Sequence, residues 1–255
     1  MIEDIFSLIY SCVDELIKTR EEFFLLMMTA VVIAVGLWIF AANYTRLWNK
    51  AFKNRPIHYC LFTLSAIMTF IFIIVFYSLK FTDHAAEYTV IKWEYNLKND
   101  NKWSNDVFIK AYEAVDNSGK ADMSNYKHPD NGGKLIPSQH KVRPIIAEVY
   151  SNESIAHFKK SHTLLSRVLW ANSRSSNEKI QSSMDAFFVS NPGEIYTVKD
   201  AIEIAAKQIS LGLKEQTPRV VYVTRIILVL LFFIFQLIAF GIVGFHAYND
   251  LKLKT

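Results

Sequence analysis

Residues 220–245 read VVYVTRIILVLLFFIFQLIAFGIVGF, a run broken in charge and strong polarity only by Arg225 and Gln236. At 1.5 Å per residue such a run is about 39 Å long as a helix, more than the hydrocarbon thickness of a bilayer. Two further stretches have the same character: FFLLMMTAVVIAVGLWIFAA at 23–42 and IHYCLFTLSAIMTFIFIIVFYSL at 57–79. The last run closes a hydrophilic insert, 80–218, which the second run opens. Two spans bound that insert, so all of it lies on one face of the membrane. The predicted fold is an integral membrane α-helical protein. It has three transmembrane helices and a mainly helical α+β extracytoplasmic domain between the second and third.

In chain order the segments are an N-terminal amphipathic helix (1–22), the first span (23–42) and a basic loop (43–56). The second span (57–79), the extracytoplasmic domain (80–218), the third span (219–245) and a short tail (246–255) follow. The N-terminal helix rests on Ile2, Ile5, Phe6, Ile9, Val13, Leu16 and Ile17, spaced by threes and fours. Its polar face is acidic, which suits packing on protein better than binding to anionic lipid.

The net charge is only +4, and its distribution is more informative than its sum. Residues 1–22 carry six acids and two bases, and the insert carries 18 bases against 17 acids. No basic footprint for nucleic acid results. The loop 43–56 carries Arg46, Lys50, Lys53 and Arg55 and no acid. A short loop rich in bases is held in the cytoplasm. That places the N-terminus and the insert outside and the tail, with Lys252 and Lys254, inside. The same bases, mixed with aromatic residues, suit anionic lipid headgroups as well as setting topology. The acidic N-terminus lacks the basic region of a cleavable leader. The two cysteines, Cys12 and Cys60, fall on opposite sides in this topology, so no disulfide joins them. These features point to the inner (plasma) membrane of a bacterial cell.

Within the insert, EYTVIKWEYNL (87–97) has a mixed pattern that fits a strand or a helical extension of the second span. SNDVFIKAYEAVDN (104–117) reads as a helix with Ser104 or Asn105 as cap. Residues 116–144 form a long loop rich in Gly and Pro, with a hairpin signal at Asn131-Gly132. PIIAEVY (144–150) is a strand candidate, and SIAHFKKSHTLLSRVLW (154–170) a single helix. A polar break from Asn172, a helix over 179–189 and a turn at Asn191-Pro192-Gly193 come next. Thr197 and Asp200 form a capping-box start to the last helix of the insert, and Pro218 marks its junction with the third span.

Catalytic signatures are not found. His157 and His162 are five apart, off the i,i+4 spacing of a helical metal pair. There is no G-x-S-x-G, P-loop or G-x-G-x-x-G. The expectation is a protein without enzyme activity, cofactor or metal. Its partners are membrane lipids and other membrane or envelope proteins, in a homo- or hetero-oligomer, without nucleic acid. A sensor subunit signalling through a partner is one alternative, and a channel or membrane-permeabilising protein another. Arg225 and Gln236 are eleven residues apart, three helical turns plus about 20°, so they share a side of the third span. Gly241 and Gly244 are small enough for close helix approach, and the four residues together are the candidate helix-packing set.

Overall fold

A computed structural model describes residues 2–47, 49–132, 136, 140–170, 175–191 and 197–252, with side chains resolved from residue 9 onward in the N-terminal helix. Among them 88% of the chain is helical and no strand occurs. Pro192 and Gly193 of the expected turn at Asn191-Pro192-Gly193, the start of the polar break at Asn172, and Lys254 lie outside the described residues. The helices are α1 (Ile2–Lys18), α2 (Arg20–Asn43), α3 (Pro56–Ser78), α4 (Thr82–Lys98) and α5 (Asn101–Ser118). They continue with α6 (Arg143–Ser161), α7 (Thr163–Trp170), α8 (Ser175–Ser190) and α9 (Val198–Lys252). α2, α3 and α9 each contain a window long and apolar enough to cross a membrane. The protein is therefore a helical membrane protein with three such helices. The chain forms two units, Met1–Phe6 with Asp83–Pro218 and Ser7–Thr82 with Arg219–Thr255.

The first unit corrects the α+β expectation, and in each case a helical burial pattern overrides a local strand signal. The buried residues of α4 include Ala86, Val90, Trp93 and Leu97, spaced by four, three and four, with Thr82 and Ala85 buried in its first turn. Tyr88, Ile91 and Tyr95 lie exposed between them. Large apolar side chains on both faces produced the mixed pattern that resembled a strand. PIIAEVY opens α6 instead of forming a strand. Pro144 occupies the first turn, where its missing N–H is no loss, and Ile146, Ala147, Tyr150 and Ser154 are buried at helical spacing. The expected single helix over 154–170 breaks at His162, whose φ of −136° and ψ of 68° separate α6 from α7. No hairpin forms at Asn131-Gly132: Pro129–Asn131 is a short 3₁₀ turn ended by Gly132 at φ 79°. Asp100, and neither Ser104 nor Asn105, caps α5 by accepting from Trp103 N–H at 3.0 Å.

At Thr197 the capping box forms. Asp200 N–H donates to Thr197 Oγ1 (3.2 Å), and the Asp200 carboxylate accepts from Thr197 Oγ1 (2.6 Å) and more weakly from Thr197 N–H (3.4 Å). α9 then runs through Pro218, which lies inside the helix and does not end it. One absent N–H is a local defect in a helix of 55 residues.

The core of this unit holds Val107, Ala111 and Val115 of α5, Tyr150 and Phe158 of α6, Met184 and Phe188 of α8, and Ile202 and Ile209 of α9. Gly212 allows α9 to approach α7: a Cβ there would lie 2.5 Å from Leu169 Cδ1. Gln216 Nε2 donates to the Leu169 carbonyl at 3.2 Å, holding the same contact. Trp93 Nε1–H donates to His157 Nδ1 at 3.0 Å, and Trp103 meets the same imidazole edge to face.

In the second unit, α1 presents Cys12 and Leu16 inward. Leu16 packs with Leu26 and Phe81, flanked by Phe23, Ile73 and Tyr77. Glu22 receives Lys80 at 3.0 Å and the Tyr77 hydroxyl at 3.1 Å. Of the described residues of the helix's apolar stripe, Leu16 is buried on its own chain, whereas Ile17 is 47% exposed. α2 buries Leu26 and also Ala30, Ala34 and Ala41, whose small side chains let helix backbones come close.

Burial holds the His157 imidazole below the ordinary histidine value; Asp100 opposes that shift and Lys160 adds to it. The unfolded chain then protonates first as pH falls. His157's contribution is complete above about pH 6.5 and is lost as pH falls through the lower native value. In the fragment Asp83–Pro218, urea unfolding should show stability declining as pH falls below about 6.5. His157→Gln, which keeps an acceptor for Trp93, should flatten that decline. A slope unchanged by the substitution would contradict the assignment.

Candidate functional site

Gln236 is 9% exposed, and its amide is wholly engaged with α3. Its Oε1 accepts from the Ser65 hydroxyl. Its Nε2 donates to Thr69 Oγ1 at 3.1 Å and to the Ser65 carbonyl at 3.4 Å. Thr69 Oγ1–H in turn donates to the Ser65 carbonyl at 2.8 Å. Without water, each of these groups needs a protein partner, and each finds one.

The contact lies within an antiparallel register of α3 against α9. Towards the basic loop, Val243 shares an apolar cluster with Phe62, Ala41, Phe52 and Ala247. Towards the other end, Phe72 stacks on Phe232 at 4.4 Å. Further along, the Arg225 guanidinium sits 5.4 Å from the Phe76 ring centroid, and its buried Nε finds no acceptor among the described residues.

The α9 side chains turned inward are therefore Gln236, Ala239, Val243 and Ala247, at spacings of three, four and four. Gly244 is buried beside them. Gly241 is exposed, and an added Cβ would meet nothing within 4 Å, so the structure does not bring it into this face. The close approach to small side chains comes from alanines instead.

The loop 43–56 divides its residues by chemistry. Neutral ones fold it over the helix ends. Asn49 Nδ2 donates to the Ala247 carbonyl (3.1 Å), Asn54 Nδ2 to the Ala42 carbonyl (2.7 Å) and the Tyr44 hydroxyl to the Phe240 carbonyl, while Phe52 is buried. Ala42 is in the last turn of α2, where carbonyls are left over, whereas Phe240 and Ala247 lie inside α9 and accept a second bond there. Arg46, Lys50, Lys53 and Arg55 all point outward, and none has a carboxylate partner among the described residues. Four exposed cations thus sit on a neutral, hydrogen-bonded base.

Sequence reasoning missed a second polar pair. His58, fully buried, accepts from Arg55 N–H at Nδ1 (3.1 Å), so its proton is on Nε2. That proton is donated to His246 Nδ1 at 3.0 Å, with Phe52 stacked on the His58 ring. The available signal was a histidine at the loop end of each of two spans. No metal-binding group of three or more His, Cys, Asp or Glu occurs among the described residues. Comparison with protein-family models, with curated proteins and with solved structures finds no match.

The Gln236 contact is testable by a double-mutant cycle in detergent, measuring unfolding of the chain with Gln236→Leu, Ser65→Ala and both. The expected coupling is about 0.6–2 kcal/mol, in the range of measured interhelical hydrogen bonds in membranes. Additive effects would mean that the pair does not interact.

Proposed function

We propose that the chain is a non-enzymatic membrane component of a multiprotein envelope assembly, with the 80–218 region as its interaction module. The observation that carries this reading is the outer stripe of α4. Tyr88, Ile91 and Tyr95 are 57%, 54% and 69% exposed and recur at spacings of three and four. α4 also carries Asp83, Glu87, Lys92, Glu94 and Lys98, so its stripe belongs to a polar helix and not to a span. Two tyrosines around an isoleucine have the composition of a protein-binding patch: large, amphipathic and poor in rotamer entropy. In this reading the membrane is the inner membrane, the loop 43–56 faces the cytoplasm, and the module and N-terminus face outward.

One set of variants tests both parts. In a chain with Cys12→Ala and Cys60→Ser, cysteine replaces Lys92 beside the stripe, Glu113 on α5, or Leu47 in the loop, all three exposed. On spheroplasts, an impermeant maleimide should label positions 92 and 113 and spare 47. A maleimide–benzophenone should then give a discrete higher-mass adduct from 92 and none from 113. Adding Tyr88→Asp and Ile91→Asp should abolish it. The reverse labelling would overturn the orientation, and a lack of any stripe-dependent adduct would overturn the interaction reading.

A further inference from the structure

Between α2 and α3 lies a groove of about 320 Å³, lined by Val31, Val35, Trp38, Thr63, Ile67 and Phe70 above a floor of Ala34 and Ala66. Seven helical steps from Val31 to Trp38 make it about 10 Å long, and five more, about 8 Å, reach the end of α2 at Asn43. It therefore occupies the half of the hydrocarbon nearest the basic loop. At the loop end the Trp38 indole N–H donates to Thr63 Oγ1 at 3.3 Å, and Tyr59 lies 6.4 Å from the indole centroid. The mouth thus has the aromatic furnishing of a membrane interface, and its one indole donor is already used.

We propose that this groove and the basic loop together form a site for an anionic phospholipid of the adjacent leaflet. One acyl chain lies in the groove, and the phosphate lies against the cations of the loop. Two independent features select this occupant. The groove offers apolar contact and no hydrogen-bonding group beyond the closed Trp38–Thr63 pair. The loop, one short step along the same two helices, offers Arg46, Lys50, Lys53 and Arg55, exposed and without a carboxylate. A chain-bearing phosphate ester matches both. A transmembrane helix fits less well. Close helix docking needs small residues at the rim, and this rim is Val31, Val35, Ile67 and Phe70.

Native mass spectrometry of the full chain, released from micelles holding equal dioleoyl phosphatidylglycerol and dioleoyl phosphatidylcholine, tests the site. The expected result is one retained lipid with a preference of about fivefold for phosphatidylglycerol, the size that one favourable headgroup–base contact gives. Neutralising the loop (Arg46→Gln, Lys50→Gln, Lys53→Gln, Arg55→Gln) should bring the ratio to one. Filling the groove by Ala66→Leu, or by Ile67→Trp at a half-exposed position, should remove retention of both lipids with helical circular dichroism unchanged. Glycerol phosphate, which has the anion and no chain, should not be retained. Equal retention of the two lipids by the unmodified chain overturns the proposal. So does retention that survives both groove-filling variants, or retention of glycerol phosphate. A dimer of this chain that excludes lipid and is abolished by Ala66→Leu would assign the groove to a second copy instead.

Discussion

A primary amide inside hydrocarbon has no water to turn to, and Gln236 sits near the middle of its span. Its position fixes how α9 returns against α3. With the amide bound to Ser65 and Thr69, every other contact between the two helices falls into one antiparallel order. His246 meets His58, Phe232 meets Phe72, and Arg225 lies over Phe76. Apolar helices in lipid have little hydrophobic reason to prefer one register over another. A slide of one turn would leave the Gln236 amide and the imidazole pair without partners, and both losses are costly where no water can compensate.

That register also shapes the basic loop. Where the end of α2 lies beside α9, Tyr44 and Asn49 can reach carbonyls of α9, and Asn54 a carbonyl of α2. Tying the loop down with neutral donors leaves its cations free to face outward. In the proposed reading the same four charges serve two ends: they hold the loop on its side of the membrane and present a surface for an anion. Three amide and hydroxyl donors spread along the loop explain how so charged a segment keeps a defined shape at the membrane boundary.

The three apolar runs and their helical character were legible because hydrocarbon permits no other backbone solution for a single run of that length. The soluble region was less legible. α4 buries Val90, Trp93 and Leu97 while exposing Tyr88, Ile91 and Tyr95, so neither a period of two nor a period of 3.6 stands out in its sequence. PIIAEVY has the β-branched composition of a strand, and only its burial in α6 reveals the helix. The break at His162 has no glycine or proline to announce it. At the candidate site, Gln236 and Arg225 were visible as polar residues in an apolar run, whereas their neighbours on α3 were not. Ser65, Thr69 and His58 look like ordinary tolerated residues until α9 is placed beside them.

The central claim is the register of α3 against α9, and proximity of side chains measures it most directly. In a chain with Cys12→Ala and Cys60→Ser, the pair Phe72→Cys with Phe232→Cys should cross-link rapidly in native membranes with a short bifunctional thiol reagent. The pair Phe62→Cys with Phe232→Cys, offset by ten helical steps or about 15 Å, should not. Efficient cross-linking of the offset pair, or failure of the first pair, would contradict the register and the contacts built on it.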